Sequence, residues 1–137
     1  MQKLDIILQD YKDLNTYYDS LLHIVDSLPL GSPLDTLEIS SDYGWRRSPF
    51  NVGWQMHAGT DYMAAWHDTV YATGAGIISK SNWIGGYGRC IIIEHAWGYE
   101  SKYAHLYKYF VKKGDTVYKG QAIARAGNSG AVTGPHL

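Results

Sequence analysis

Cysteine is nearly missing from this sequence. Cys90 is the single copy in 137 residues, so no intrachain disulfide can form. Set in the apolar run Cys90-Ile91-Ile92-Ile93, the lone thiol reads as a small buried hydrophobe, not a nucleophile. Long hydrophobic runs are missing too: none approaches the roughly 18 residues a transmembrane helix requires. Neither sign of charge dominates. Lys and Arg number 12 against 13 Asp and Glu, a formal net charge of −1, which leaves no basic stripe for nucleic acid or an anionic membrane. Phenylalanine is scarce, with 2 copies, while tyrosine has 12 and tryptophan 5. Such amphipathic rings suit half-buried strands and polar binding grooves. No secretory leader pattern follows Met1-Gln2-Lys3-Leu4-Asp5. Two expectations stay open: a cytosolic protein, or one whose export signal lies outside this sequence.

The length suits one domain with a real core and at most a short appendage. Residues 1–28 are that appendage. Leu4, Tyr11, Tyr18 and Val25 recur every seven positions, interleaved with Ile7, Leu14, Leu21 and Leu28. These two series are the a and d positions of four heptads, which predicts an amphipathic helix. Leu8, Leu22 and Ile24 widen the stripe, and Asp5, Asp10, Asp13, Asp19 and Asp26, against Lys3 and Lys12, make the other face acidic. The helix is expected to dock on the rest of the chain or to pair with a partner or a second copy. Pro29 ends it, and residues 29–36 read as a linker.

From residue 37 to 137 the pattern changes to short β-branched and aromatic runs between glycine-rich turns. Strands are predicted at 37–41, 69–72, 76–81, 89–95, 100–106 and 121–126. With no helical segment between them, they predict an all-β domain, an antiparallel sheet or sandwich. The Cys90–Ile93 run does not alternate and reads as a central strand buried on both faces.

Chemistry concentrates in Gln55-Met56-His57-Ala58-Gly59-Thr60-Asp61. A histidine and an aspartate four apart would share a face of a helix, but Gly53, Gly59 and Pro49 argue against one. Gly59 is expected to let the chain turn so that an imidazole nitrogen and a carboxylate oxygen converge, two of the donor types that hold zinc. Further along come His105 in Tyr103-Ala104-His105-Leu106, expected on a strand, and His136 in Gly134-Pro135-His136-Leu137. The glycine-rich loop 127–133 is suited to turning backbone donors toward a ligand. His23, His67 and His95 read as structural.

From Ile39 onward the sequence resembles the lysostaphin-type, or LytM-type, zinc metalloendopeptidases that cleave peptide cross-links in bacterial cell walls. The likeness rests on Ser40-Ser41-Asp42-Tyr43-Gly44-Trp45-Arg46, on His57-Ala58-Gly59-Thr60-Asp61-Tyr62 and on Thr69-Val70-Tyr71-Ala72-Thr73-Gly74. Tyr103-Ala104-His105-Leu106, Gly127-Asn128-Ser129-Gly130 and Thr133-Gly134-Pro135-His136-Leu137 follow in family order, so about 100 residues are covered. The resemblance implies the family's duplicated-hybrid-motif β fold, with His57 and Asp61 as ligands of one Zn2+ and His105 and His136 as the catalytic pair. It also implies peptidoglycan stem peptides or cross-bridges as substrate, a place in the cell envelope, and Arg46 on the substrate cleft.

A catalytic zinc takes three protein ligands and leaves a fourth position for water. In the family a histidine directly after Gly-Pro-His-Leu is the third. The sequence stops at Leu137, so the expectation for this chain is weak zinc binding, little activity and a partly unpaired sheet edge. Of the catalytic pair, one histidine would take a proton as base while the other supports the oxyanion or the leaving amine, and the residues leave those roles open. The competing expectations are a catalytically inactive family member acting as an envelope regulator, and a peptidoglycan-binding scaffold.

Overall fold

The computed structural model describes residues 2–50 and 53–137. Helix α1 (Gln2–Ser27) comes first, as the heptads predict, and its acidic Asp5 lies in the first turn, where the helix dipole favours it. The remainder is β structure in short strands: β1 (Ile39–Ser41), β2 (Gly44–Arg47), β3 (Trp54–His57), β4 (Asp61–Tyr62), β5 (Thr69–Tyr71), β6 (Gly76–Trp83), β7 (Arg89–Glu94), β8 (Glu100–Tyr103), β9 (Leu106–Tyr109), β10 (Thr116–Val117) and β11 (Ala122–Ala126). All pairings are antiparallel. One sheet has the order β10-β6-β7-β8, a second β5-β11-β9, and β1-β4 and β2-β3 are two-stranded ribbons.

The two larger sheets share the core. Ile78, Ile91, Ile93 and Val117 from the first meet Val70, Leu106 and Ile123 from the second, all fully buried. Each such side chain contributes about 1.5–3 kcal/mol through removal from water. Strand β7 is buried on both faces, as its non-alternating run predicts. Ile91 and Ile93 face the core, while Ile92 lies on the other side and floors the cleft described below. Beneath β7 a buried polar chain is fully paired: His95 bonds the Ala75 carbonyl at 2.8 Å and Ser101 Oγ at 2.7 Å, and Ser101 Oγ lies 2.9 Å from Tyr103 Oη.

The structure differs from the sequence reading at several points. The strand expected over 100–106 is two strands, because His105 adopts a left-handed φ of 58° and turns the chain between β8 and β9. The β2–β3 ribbon and the two-residue strands β4 and β10 were not anticipated. Gly59 has no left-handed φ, and a Cβ there would meet nothing within 4 Å, so the turn before Asp61 does not depend on glycine. The apolar stripe of α1 does not lie on the β domain: Leu4, Tyr11, Leu14 and Tyr18 are all exposed.

Candidate active site

The β2–β3 ribbon and β4 carry the first half of the site. In the ribbon Gly44 pairs with His57 and Arg46 with Gln55, so Arg46, Gln55 and His57 share the face that lines the cleft. His57 Nδ1 sits 2.8 Å from the Asp42 carbonyl oxygen. A carbonyl only accepts, so Nδ1 carries the proton, and in the neutral ring Nε2 is a bare lone pair. That Nε2 faces Asp61 Oδ1 at 2.9 Å. Two acceptors this close need a proton or a cation between them. The donor set therefore fits zinc: one imidazole nitrogen and one carboxylate oxygen converge, and the far ring nitrogen is fixed by a backbone carbonyl, as metal-ligating histidines usually are. Among the described residues, no group of three or more His, Cys, Asp and Glu side chains is arranged to hold a metal ion.

Asp61 is aligned from its other oxygen as well. Arg46 Nη2 lies 3.2 Å from Asp61 Oδ2, and Arg46 Nη1 bonds Ser41 Oγ. Arg46 thus lines the cleft with both terminal nitrogens engaged, while its buried Nε has no partner among the described residues.

The second half is built by two loops. The N–H of His105 donates to the Tyr87 carbonyl at 2.8 Å, and its Nδ1 donates to the Ser129 carbonyl, also at 2.8 Å. Loop 127–133 therefore offers His105 a backbone acceptor, where the sequence suggested donors for a ligand. Ser129 is itself anchored, its Oγ donating to the Leu106 carbonyl at 2.8 Å and accepting from the Arg89 N–H at 2.9 Å. This approach is possible only because residue 88 is glycine: its φ is 64°, and a Cβ there would sit 2.4 Å from the Ser129 carbonyl. Burial holds the His105 imidazole below the usual histidine range, against the Ser129 hydrogen bond, which favours the charged form.

His136 completes the group. It bridges Met63 on one side and Gly127 on the other, so it belongs to the sheet and is no frayed end. Its Nδ1 bonds the Gly134 carbonyl at 2.9 Å, its Nε2 stands 3.8 Å from Asp61 Oδ1, and its ring centroid is 4.7 Å from that of His105. His57, Asp61, His105 and His136 all line one cleft of about 720 Å³, with Ile92 on its floor and Tyr87, Phe50, Lys102 and Val132 around it. His67, in contrast, stacks on Tyr107 at 4.2 Å and lines no part of this cleft. Sequence reasoning missed Asp42, Tyr87 and Ser129 because they act through backbone carbonyls, which no side-chain motif reveals. The one available signal was the turn Asn128-Ser129-Gly130.

The family model of Peptidase family M23 matches residues 55–137, which hold all four of these residues. The chain belongs to peptidase family M23. It is 38% identical over 132 residues to the peptidoglycan DD-endopeptidase ShyC of Vibrio cholerae, covering 96% of this chain and 30% of that protein. It is 36% identical over 97 residues to lysostaphin of Staphylococcus simulans, covering 69% of this chain and 20% of that one. The M23 chain thus spans under a third of the length of these relatives. Among solved structures, a zinc-containing peptidase from Vibrio cholerae superimposes with a TM-score of 0.69 at 38% identity, over 77% of this chain and 33% of that one. The catalytic domain of lysostaphin gives 0.68 at 35% identity, over 74% and 76%. The M23 fold expected from the sequence is therefore the fold observed.

Proposed function

We propose that this M23 chain is the catalytic segment of a zinc-dependent endopeptidase that hydrolyses peptide cross-links of bacterial peptidoglycan in the cell envelope. The observation that carries the reading is the shared orientation of three histidines. His57, His105 and His136 each commit Nδ1 to a backbone carbonyl, at 2.8, 2.8 and 2.9 Å, which leaves Nε2 of the neutral ring free to act in the cleft around Asp61. The names of the relatives, DD-endopeptidase and lysostaphin, supply the substrate class.

His57 and Asp61 would hold the zinc, and Arg46 keeps the carboxylate aimed. The bound ion would supply Lewis acidity, polarising the scissile carbonyl and acidifying a water. His105, neutral because it is buried, accepts the proton from the attacking water at Nε2. His136, beside it, would donate from Nε2 in its imidazolium form, to the developing oxyanion or to the departing amine. Ile92 and Phe50 give the cleft an apolar lining that strengthens these polar contacts.

The test is release of soluble stem peptides from purified peptidoglycan by this chain and by a version with one histidine appended after Leu137. The appended version is expected to hydrolyse faster, to lose activity to a chelator and to regain it with zinc. Retention on peptidoglycan without hydrolysis, unaffected by chelator, would support a binding scaffold and sink the proposal.

A further inference from the structure

Helix α1 carries an apolar face that the β domain leaves open. Among the described residues, the polar contacts that tie it to the β domain lie in its last turn: the Ala75 N–H donates to the Asp26 carbonyl at 2.7 Å, and Lys119 Nζ reaches the Val25 carbonyl at 3.4 Å and the Asp26 carboxylate at 3.8 Å. The junction beyond is tight, since a Cβ on Gly74 would come within 2.5 Å of the Leu28 carbonyl oxygen. From there the helix extends as an arm about 39 Å long, at 1.5 Å per residue. Along it the a and d side chains from Leu4 to Val25 are 37–62% exposed.

The seven-residue period favours a second helix as the cover for this face. A repeat of seven keeps its seam in line only on a partner that winds around it, whereas docking on a flat sheet follows the 3.6-residue turn. The charges point the same way. Asp5, Asp19 and Asp26 fall at position b and Asp13 at c, clear of the seam. With two copies parallel and in register, each g residue meets the e residue five positions on in the other copy. Lys3 then faces Leu8, Asp10 faces Asn15, and Tyr17 faces Leu22. No like charges meet, Asp10 and Asn15 form a hydrogen-bonding pair, and the apolar e and g residues broaden the buried surface. An anionic membrane is disfavoured by the acidic flank, and the helix is not long and apolar enough to cross a bilayer.

We propose that α1 pairs with α1 of a second copy as a parallel two-stranded coiled coil, which sets two β domains side by side at the ends of the arms. This stands apart from the proposed activity and does not depend on it.

Sedimentation and light scattering at high micromolar concentration are expected to give twice the 15.4 kDa chain mass, falling to the single mass on dilution. Leu14→Asp combined with Leu21→Asp is expected to be monomeric throughout while the β domain unfolds at the same midpoint. Ile7→Cys, at a d position, is expected to form a disulfide-linked dimer roughly tenfold or more faster than Asp19→Cys at b, because paired thiols react at the effective concentration of the coil. The native thiol does not compete, since Cys90 is buried. A single-chain mass at every concentration, equal cross-linking of the two cysteine variants, or binding of a monomer to anionic vesicles would each overturn the proposal.

Discussion

Replacing Gly88 by alanine probes the support of His105 with the smallest possible change. Gly88 has φ 64° and ψ −138°, a conformation that side-chain-bearing residues enter at a cost of about 1–3 kcal/mol. The added methyl would also lie 2.4 Å from the Ser129 carbonyl carbon and oxygen and 2.5 Å from its Oγ. Those atoms are backbone or hydrogen-bonded, so the loop must move, and overpacking of this kind costs about 1–3 kcal/mol. Loss of the His105–Ser129 hydrogen bond adds about 1 kcal/mol. The sum, about 3–7 kcal/mol, is a large fraction of the roughly 5–15 kcal/mol that holds a domain together. Urea or thermal unfolding should show a correspondingly lower midpoint. Histidine NMR titration should show His105 moving up toward its ordinary value as the ring is released to water. Gly134→Ala is the control: its Cβ meets nothing within 4 Å and its φ is not left-handed, so its midpoint should stay within about 0.5 kcal/mol of the parent. If Gly88→Ala matched Gly134→Ala in both stability and His105 titration, the argument that Gly88 packing holds Ser129 against His105 would be wrong.

Three further outcomes follow from the same contacts. Burial pushes the Cys90 thiol up to about 11 from an ordinary 9.0, so the unfolded chain ionises first and stability falls as pH rises between those values, by about 2–3 kcal/mol in total. Cys90→Ala should lack that part of the alkaline loss, and identical slopes in the two proteins would refute the assignment. Burial depresses the His105 pKa, so its neutral, base-competent form persists as pH drops below the ordinary 6.5, and the acid limb of hydrolysis should fall below that value. A limb above 6.5 would remove His105 from the role of base. Arg46→Met takes the cation from a half-buried pair with Asp61 and should lower stability by about 1–2 kcal/mol while weakening zinc binding. Unchanged zinc affinity in that variant would show that Arg46 does not align the carboxylate.

The helix, the central strand and the four cleft residues were all legible in the sequence. Their signals are local or periodic: heptads for α1, an unbroken apolar run for β7, and ordered motifs around His57, Asp61, His105 and His136. What the sequence did not reveal depends on tertiary packing. The β2–β3 ribbon has an outer face bearing Trp45 and Trp54, both strongly exposed, so it lacks the inward apolar alternation that marks a strand. Strand β4 is two residues long and exists through its pairing with β1 and Leu137. The left-handed turn at His105 breaks a run that otherwise reads as one strand. It is held there by carbonyls of Tyr87 and Ser129, far away along the chain.

The central claim is that His57 presents Nε2, and not Nδ1, to a zinc ion shared with Asp61. Long-range proton–nitrogen NMR of the histidine rings during a zinc titration tests it most directly. The structure predicts that His57 becomes the Nδ1–H tautomer with its metal-dependent shift on Nε2, that Asp61→Asn abolishes this change, and that His67 and His95 do not respond. A shift on His57 Nδ1, or saturation of zinc by His67 or His95 while His57 stays unchanged, would contradict it.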